Sequence, residues 1–387
     1  MARSYRHISA DSHLEVGPDR WRDRVPAQYR DRAPRLIRLP SGGDAILAEN
    51  RPLFKLWAHN SGIPWEKWGH DNPNRYEDAA GGGTPAKRLR ELDADGIDAE
   101  VLFPGISGLE FLSGIVDDDA YCAVLAAYNE FIAEEYMGAA PERFIPVGVL
   151  PKRGVNAAIA EIEHCARLGL KAVTLSAYPN GTLALKPEDD RFWGAVLDID
   201  MPLTVHTMFS GMRDGPQRAR GLDLARRIST YGTKAAPIAA ALAIHGVFDR
   251  FPKLHIFFAE NQIGWIPNYL EQADMIWERH RFYHERAQGL KPLERKPSEV
   301  IKEHCLWGFM DNPIGVQLRH HIGVDKIMWS TDFPHDPSDW PNTRATIERN
   351  FAGVPEDERY LMLAGNAIRF FKLNATFSLN RDAGTRA

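Results

Sequence analysis

The chain has 387 residues, of which 44% are hydrophobic and 26% are charged, and its formal net charge is −5. This composition is ordinary for a folded globular protein and excludes a disordered chain. It also excludes a globally basic surface, so we expect no nucleic-acid or membrane partner and predict a small-molecule substrate.

The N-terminal stretch MARSYRHISADSHLEV lacks the apolar core of a secretory signal, and no run of about 18 apolar residues occurs along the chain. We therefore predict a cytoplasmic protein. Cys122, Cys165 and Cys305 are far apart and form no CxxC pair, so we expect free thiols rather than disulfides.

Short apolar, β-branched runs alternate along the chain with longer segments of helical period. The segment Asp118–Met137 is typical of the helical ones, because its apolar residues recur at spacings of three and four after an acidic first turn. The strand-like runs are Ile8–Glu15, Ala99–Phe103, Phe144–Leu150, Ala172–Ala177, Leu203–Thr207, Leu254–Asn261, Cys305–Met310 and Ile327–Asp332. This alternation predicts an α/β fold, and eight units predict a (β/α)₈ TIM barrel.

The first two predicted strands are separated by an unusually long segment, 16–84. Apolar runs within Ala33–Leu53 flank Ser-Gly-Gly-Asp and predict a hairpin. Because a barrel strand delivers the chain to the catalytic face, we predict that 16–84 is a lid or substrate wall inserted into a single domain spanning 1–387. The side chains there that could line a pocket, or merely pack the insertion onto the barrel, are His59, Trp65, Trp68 and His70.

Four of the predicted strands end in polar residues, although burying an unpaired polar group costs roughly 1–3 kcal/mol. These residues are Asp11, His13 and Glu15 on the first strand, His206 on the fifth, Glu260 on the sixth and Asp332 on the eighth. The three on the first strand are spaced two residues apart, so they share one face of the strand. Imidazoles and carboxylates bind borderline divalent metals, so the pattern predicts a catalytic metal site at the carboxyl ends of the strands.

Five motifs occur in order along the chain, namely Asp11-x-His13-x-Glu15, Asp95-Gly-Ile-Asp98 before Val101-Leu-Phe-Pro104, Val205-His206, Gly246-Val-Phe-Asp-Arg-Phe-Pro252 and Ser330-Thr-Asp-Phe-Pro-His335. In these motifs the sequence resembles the amidohydrolase-related family, and within it the branch of the aminocarboxymuconate semialdehyde, resorcylate and carboxyvanillate decarboxylases. The motifs run from the first predicted strand to the eighth.

The resemblance implies a set of metal ligands, which are His13, Glu15, His206 and Asp332. Glu15 stands where many members have a second histidine, and Asp11 is expected to orient an imidazole, although these two carboxylates could exchange roles. Glu260 replaces the usual sixth-strand histidine, and a carboxylate there could move a proton or bind a metal. We therefore expect Glu260, His335 and Asp11 to be the catalytic groups.

The resemblance also bears on the number and identity of the metal ions. Dinuclear relatives carry a carbamylated lysine at the end of the fourth strand, whereas Lys171 lies at the beginning of that strand, which favours one ion. Glu260 could still serve as a ligand for a second ion, so a two-metal site remains an alternative. We predict Zn²⁺ as the first choice, with Mn²⁺ or Fe²⁺ as alternatives. Lys87, Arg88 and Arg90 on the first helix could reach a carboxylate substrate, but we interpret them as solvated helix charges and leave them out of the site.

The implied activity is that of a metal-dependent carboxy-lyase or hydrolase, which acts on a small, carboxylated organic substrate by non-oxidative decarboxylation or by hydrolysis. One alternative is a dinuclear Fe or Mn enzyme for O₂-dependent hydroxylation, since carboxylate-rich sites suit those metals. Another is a non-catalytic subunit of a heteromeric enzyme. We expect a homo-oligomer, a dimer or larger.

Overall fold

The computed structural model describes residues 3–50, 54–55, 60–68, 74–105, 112–207 and 232–375. In chain order, its strands are β1 (Ile8–Leu14), β2 (Arg35–Arg38), β3 (Asp44–Leu47), β4 (Phe54–Lys55), β5 (Ala99–Pro104), β6 (Phe144–Val149), β7 (Ala172–Leu175), β8 (Leu203–Val205), β9 (Ile256–Phe258), β10 (Cys305–Phe309) and β11 (Ile327–Trp329).

Eight strands form one parallel sheet in the order β1-β5-β6-β7-β8-β9-β10-β11. The sheet curls into a barrel whose first and last strands meet at their carboxyl ends. There the His13 amide donates to the Phe333 carbonyl at 2.7 Å, and the Asp332 amide donates to the Asp11 carbonyl at 2.9 Å. Every predicted strand is present, and the (β/α)₈ fold is confirmed.

Helices follow the barrel strands. They are α1 (Pro85–Asp95), α2 (Asp118–Phe131), α3 (Val155–Leu168), α4 (Asp190–Ile199), α5 (Ala236–Ile244), α6 (Val247–Arg250), α7 (Ile266–Gln288), α8 (Pro297–His304), α9 (Pro313–Gln317), α10 (Arg319–Ile322), α11 (Thr343–Asn350), α12 (Glu356–Tyr360) and α13 (Asn366–Phe370). Two π-helical segments, Ile132–Met137 and Leu361–Gly365, continue α2 and α12. The predicted helix over Asp118–Met137 is therefore found.

Helix α1 shows how the sequence sets an element's ends. The Thr84 hydroxyl oxygen accepts the Lys87 amide at 3.3 Å, and Pro85 occupies the first helical position, where no amide hydrogen is needed. Gly96 ends the helix in the left-handed conformation, with φ of 74°. Both signals are local, so α1 begins and ends where its sequence directs.

Apolar side chains fill the inside of the barrel. Val101, Val147, Phe257 and Met328 are buried in one cluster, together with Phe371 from the chain after α13. This cluster includes residues at the amino ends of the strands, so that end is covered by the C-terminal segment. The interior is therefore packed rather than open, as in other barrels of this class.

The insertion between β1 and β5 contains a small antiparallel sheet of order β2-β3-β4. The predicted hairpin is thus present, and Trp65 is 74% exposed. Ser61 donates to the His335 carbonyl at 3.2 Å, and Asn60 donates to the Asp336 carboxylate at 2.9 Å, so the insertion contacts the chain that follows β11. His59 and His70 lie outside the described residues, and the role of the insertion as a lid stays a prediction.

Within the described residues, no helix combines the length and the apolar character that a membrane span requires.

Candidate metal centre

Polar side chains from β1 and from the chain just after β8, β9 and β11 lie together at the carboxyl end of the barrel. In the described residues, potential metal-ligand atoms within 4.8 Å of one another form two groups, Asp11 with His13 and His206, and His13 with Asp332 and His335. His13 belongs to both groups and lies at their centre. The structure therefore brings together three of the four residues that the resemblance implied as ligands, which are His13, His206 and Asp332.

Short distances connect these groups. His13 Nε2 lies 3.0 Å from Asp332 Oδ1 and 3.5 Å from Asp11 Oδ1, and His206 Nε2 lies 3.5 Å from Asp11 Oδ2. The other ring nitrogen of His13, Nδ1, lies 3.0 Å from the Pro104 carbonyl oxygen. A carbonyl can only accept, so Nδ1 carries the hydrogen and the Nε2 lone pair is directed into the cluster.

Several buried atoms of this cluster make no hydrogen bond with the described part of the chain. They are both carboxylate oxygens of Asp11 and of Asp332, and the Nε2 atoms of His13 and His206. Leaving such an atom unsatisfied costs about 1–3 kcal/mol, more for a charged group. Oxygen and imidazole nitrogen atoms that converge without partners are the donor set of a divalent cation, so these residues fit such an ion.

Glu15 lies elsewhere in the site. Its Oε1 atom is 3.0 Å from His335 Nε2, and it belongs to neither ligand group among the described residues. His335 Nδ1 is 3.4 Å from Asp332 Oδ1, and the His335 ring stacks on His13 with centroids 3.8 Å apart. Our first choice of Glu15 over Asp11 as a ligand stays a prediction, but this geometry favours the exchange of their roles.

A local feature of β1 accounts for this difference. The pairing of β1 with β5 shifts register between Ser9 and Ser12, and the strand ends at Leu14, so Glu15 lies beyond it. Strand alternation predicts that Asp11 and Glu15 lie on one side of the strand, but it does not give their heights above the barrel.

Glu260 and Asp332 have an unusual backbone. Each has φ of 54°, in the left-handed region that residues other than glycine rarely adopt. Such strain persists only where surrounding contacts impose it, commonly at functional sites. Glu260 Oε2 lies 3.6 Å from His206 Nε2 and accepts a hydrogen bond of 2.8 Å from the Thr207 hydroxyl, so this carboxyl group borders the cluster.

Burial shifts the pKa values of two carboxyl groups and two imidazoles of the site in opposite directions. It raises the pKa of Asp11 to about 7 and that of Glu260 to about 7, and the negative charge of Asp332 contributes to both shifts. Burial also lowers the pKa of His13 and of His206 below its ordinary value, which keeps both imidazoles in the neutral form that binds metals.

Asp332 and His335 behave in the opposite way. Burial by itself would raise the pKa of Asp332, but the positive charge of the neighbouring His335 imidazole outweighs it and holds this pKa well below its usual range. Burial would likewise lower the pKa of His335, but the Asp332 and Glu15 carboxylates raise it well above its usual value. Asp332 is therefore an anion at neutral pH, and His335 is a cation.

The interpretation of Arg88 as a solvated charge is wrong, because its side chain is 1% exposed. Its Nε and Nη2 atoms donate to the two oxygens of Glu100 at 2.7 and 2.8 Å. The sequence did contain a signal, since Glu100 is a charged residue within the apolar run of β5 and needs a buried partner. By contrast, Arg90 is exposed, as expected.

Comparison with known proteins finds that the amidohydrolase family model matches residues 12–373. A curated relative, gamma-resorcylate decarboxylase from a Rhizobium species, is 25% identical over 305 residues, which cover 74% of this chain and 86% of the relative.

Solved structures share the fold. An amidohydrolase from Mycobacterium avium subsp. paratuberculosis superimposes with a TM-score of 0.72 at 16% identity, over 96% of this chain and 100% of that one. A dihydroxybenzoic acid decarboxylase from a Polaromonas species, with bound manganese and the inhibitor 2-nitroresorcinol, gives a TM-score of 0.62 at 19% identity, over 96% of this chain and 98% of that one.

Proposed function

Because the chain belongs to the amidohydrolase family, we propose that it is a metal-dependent decarboxylase of small aromatic carboxylic acids. The observation that carries the proposal is the convergence of unpaired carboxylate and imidazole atoms at the carboxyl end of the barrel, beside a carboxyl group whose pKa is raised to about 7. The names of the curated relatives support decarboxylation over the other reactions of the family.

In this proposal the cation is held by Asp11, His13, His206 and Asp332. When bound, the ion supplies Lewis acidity and positive charge that orient the substrate carboxylate and a neighbouring oxygen. Zn²⁺ is our first choice from the donor set, and the manganese in the Polaromonas neighbour supports Mn²⁺ as the main alternative. Fe²⁺ is the third choice.

Glu260 is proposed as the general acid. With its pKa near the working pH, a substantial fraction of this carboxyl group carries a proton, as a proton donor requires. Glu260 donates this proton to the ring carbon that bears the substrate carboxylate, and a C–H bond forms there. The bond from that carbon to the carboxylate then breaks, its electron pair returns to the ring, and CO₂ leaves. Water restores the proton on Glu260.

His335 and Glu15 are proposed to orient the site. The raised pKa of His335 keeps its ring a cation between the carboxylates of Glu15 and Asp332, at 3.0 and 3.4 Å. This arrangement holds Asp332 as an anion, which suits a ligand and does not suit a proton donor. Asp11, whose pKa is raised, must lose its proton before it can bind the ion.

The other reactions lead to different expectations. Hydrolysis would use the same ligands, with Glu260 as a base for a bound water. O₂-dependent hydroxylation needs two ions. Both ligand groups in the described residues share His13, and this shared ligand suits a single ion. A non-catalytic subunit would retain no metal. We also propose that the protein is a cytoplasmic homo-oligomer in which the insertion 16–84 serves as a lid or substrate wall.

The test combines metal analysis with product detection. Wild-type protein reconstituted with Zn²⁺ or Mn²⁺ should hold about one ion per chain and release CO₂ from gamma-resorcylate or 5-carboxyvanillate. His206→Ala should lose the ion, and its turnover should fall by roughly 10³-fold or more, because several kcal/mol of transition-state stabilisation depend on it.

The matched control is His245→Ala, since His245 is an exposed histidine that follows α5 at the amino end of the barrel. It should keep both the ion and the activity. Normal metal content in His206→Ala, or two irons per chain with O₂ uptake, would contradict the proposed function.

A further inference from the structure

A buried ion pair that the proposed reaction does not use lies beneath the metal cluster. Arg88 on α1 and Glu100 on β5 have side chains that are 1% and 0% exposed, and they form two parallel hydrogen bonds of 2.7 and 2.8 Å. This bidentate geometry fixes the orientation of the guanidinium group as well as its position.

The remaining donors of Arg88 reach the chain that follows β11. Nη2 donates to the Phe333 carbonyl at 3.2 Å, and the guanidinium carbon lies 4.4 Å from the centre of the Phe333 ring. The same carbonyl accepts the His13 amide at 2.7 Å. Phe333 directly follows Asp332, so one carbonyl group connects Arg88 to two of the proposed metal ligands.

The insertion packs against Arg88 and against the chain that follows Asp332. Arg88 Nη1 donates to the Gly81 carbonyl at 3.2 Å, and the Gly81 amide donates to the Glu91 carboxylate at 3.2 Å. A Cβ atom at Gly81 would lie 2.3 Å from Pro334 Cγ, so the two segments are already in close contact. The chain after Asp332 is therefore enclosed on several sides.

Stability alone does not account for this pair. Two buried charges gain little over well-packed apolar residues of the same volume, because desolvation offsets their attraction. What the pair provides is a fixed geometry. Asp332 needs such support, because its left-handed backbone is strained and persists only where its neighbours impose it.

We propose that Arg88 and Glu100 form a positioning pair that sets the metal centre. The pair holds the Phe333 carbonyl in place, and that carbonyl in turn places the Asp332 carboxylate and the His13 imidazole within reach of one ion. This inference rests on the proposed metal site, and it assigns to Arg88 a role that acts through Phe333 rather than through the substrate.

The test substitutes Arg88→Lys, which keeps the charge but removes the planar fork. Its matched control is Arg143→Lys, because Arg143 also contacts α1, through the Asp93 carboxylate at 2.7 Å, and lies near the amino end of the barrel. The readouts are the dissociation constant for Mn²⁺, from chelator competition, and the visible absorption spectrum of the Co²⁺-loaded protein.

Arg88→Lys should bind Mn²⁺ roughly 10–100-fold more weakly than wild type, as for other residues that orient metal ligands, and its Co²⁺ spectrum should change. Arg143→Lys should match wild type in both. If Arg88→Lys does not fold, Glu100→Gln is measured in the same way, because it keeps the size of the side chain but removes its charge.

Mn²⁺ affinity within twofold of wild type and an unchanged Co²⁺ spectrum would overturn the inference, even if urea unfolding showed a loss of stability, because the pair would then be merely structural. This outcome is distinct from failure of the proposed metal site, in which wild type and Arg143→Lys would also bind no metal, and from failure of the proposed reaction, in which wild type would bind metal but release no CO₂.

Discussion

Asp11 and Glu15 are separated by two periods of strand alternation, yet their surroundings differ. Both oxygens of Asp11 are buried without a hydrogen bond in the described residues, whereas Glu15 contacts His335 at 3.0 Å. We predict that Asp11→Asn abolishes metal binding, because an amide cannot replace the anionic ligand. Glu15→Gln should retain the ion with an affinity reduced about 10–100-fold, as expected when a ligand's orientation is disturbed.

The measurement is metal content after dialysis, followed by chelator titration of the variants that retain an ion. The reverse ranking, with Glu15→Gln metal-free and Asp11→Asn loaded, would restore Glu15 as the ligand. The sequence could not decide this point, because period two describes the face of a strand and not the height of each residue along the barrel axis.

Glu260 provides the second prediction at this scale. Glu260→Gln should keep the ion but reduce turnover about 10²–10⁴-fold, which is the usual contribution of a positioned acid or base. In the wild type the protonated carboxyl group is the active form, so activity should fall as the pH rises through the Glu260 pKa of about 7. The measurement is kcat as a function of pH with the metal saturating.

Thr207→Val refines this test. The Thr207 hydroxyl stabilises the ionised form of Glu260 by donating to it at 2.8 Å and thereby lowers its pKa. Removing the hydroxyl should raise that pKa and move the loss of activity to higher pH. A pH profile that is identical in the wild type and in both variants would exclude Glu260 as the acid.

At the scale of elements, the strand pattern predicted the barrel but not where its strands end. The run Leu254–Asn261 contains β9 only over Ile256–Phe258, and the run Ile327–Asp332 contains β11 only over Ile327–Trp329. In both cases the chain continues into a left-handed residue, Glu260 or Asp332, and these polar residues form the site. Hydrophobic period cannot reveal such turns, because tertiary contacts impose them.

The buried ion pair was missed for a related reason. A helix with several basic residues gives no indication of which one is buried, and Arg88 is buried while Arg90, two residues further on, is exposed. Only the pairing of α1 with β5 identifies Arg88. Glu100 was visible in the sequence, but its partner depends on the tertiary fold.

The close approach of β1 and β5 gives a prediction for Gly105→Ala. A Cβ atom at Gly105 would lie 2.3 Å from Glu15 Cδ, which is far inside contact distance, so Glu15 must move away from His335. We expect a loss of roughly 1–3 kcal/mol in the free energy of unfolding, as for other overpacked sites, together with weaker metal binding. Urea unfolding and chelator competition measure the two effects.

The control is Gly194→Ala within α4, where a Cβ atom would meet nothing within 4 Å. Alanine in a helix interior should raise the free energy of unfolding by about 0.5–1 kcal/mol, since it restricts the unfolded chain. A Gly105→Ala protein as stable as wild type would show that the ends of β1 and β5 have room to separate.

For the whole molecule, metal binding should be linked to stability. An ion that binds only the folded chain at 100 times its dissociation constant adds about 2.7 kcal/mol to the free energy of unfolding. For 387 residues, with an unfolding entropy near 2.1 cal/mol/K per residue, this corresponds to a rise in Tm of roughly 3 °C. Chelator treatment should reverse that rise in the wild type, and it should have no effect on Asp11→Asn.

The pH dependence of that binding identifies which ligand competes with protons. His13 and His206 have lowered pKa values and are already neutral at pH 7, whereas Asp11, at about 7, is about half protonated. Binding should therefore release about half a proton at pH 7 and nearly one at pH 6, and the affinity should fall up to tenfold for each unit below pH 7. Calorimetry in buffers of different ionisation enthalpy counts these protons. Glu260→Gln should leave the number unchanged if Asp11 is the ligand that titrates, and binding without proton release at pH 6 would exclude it.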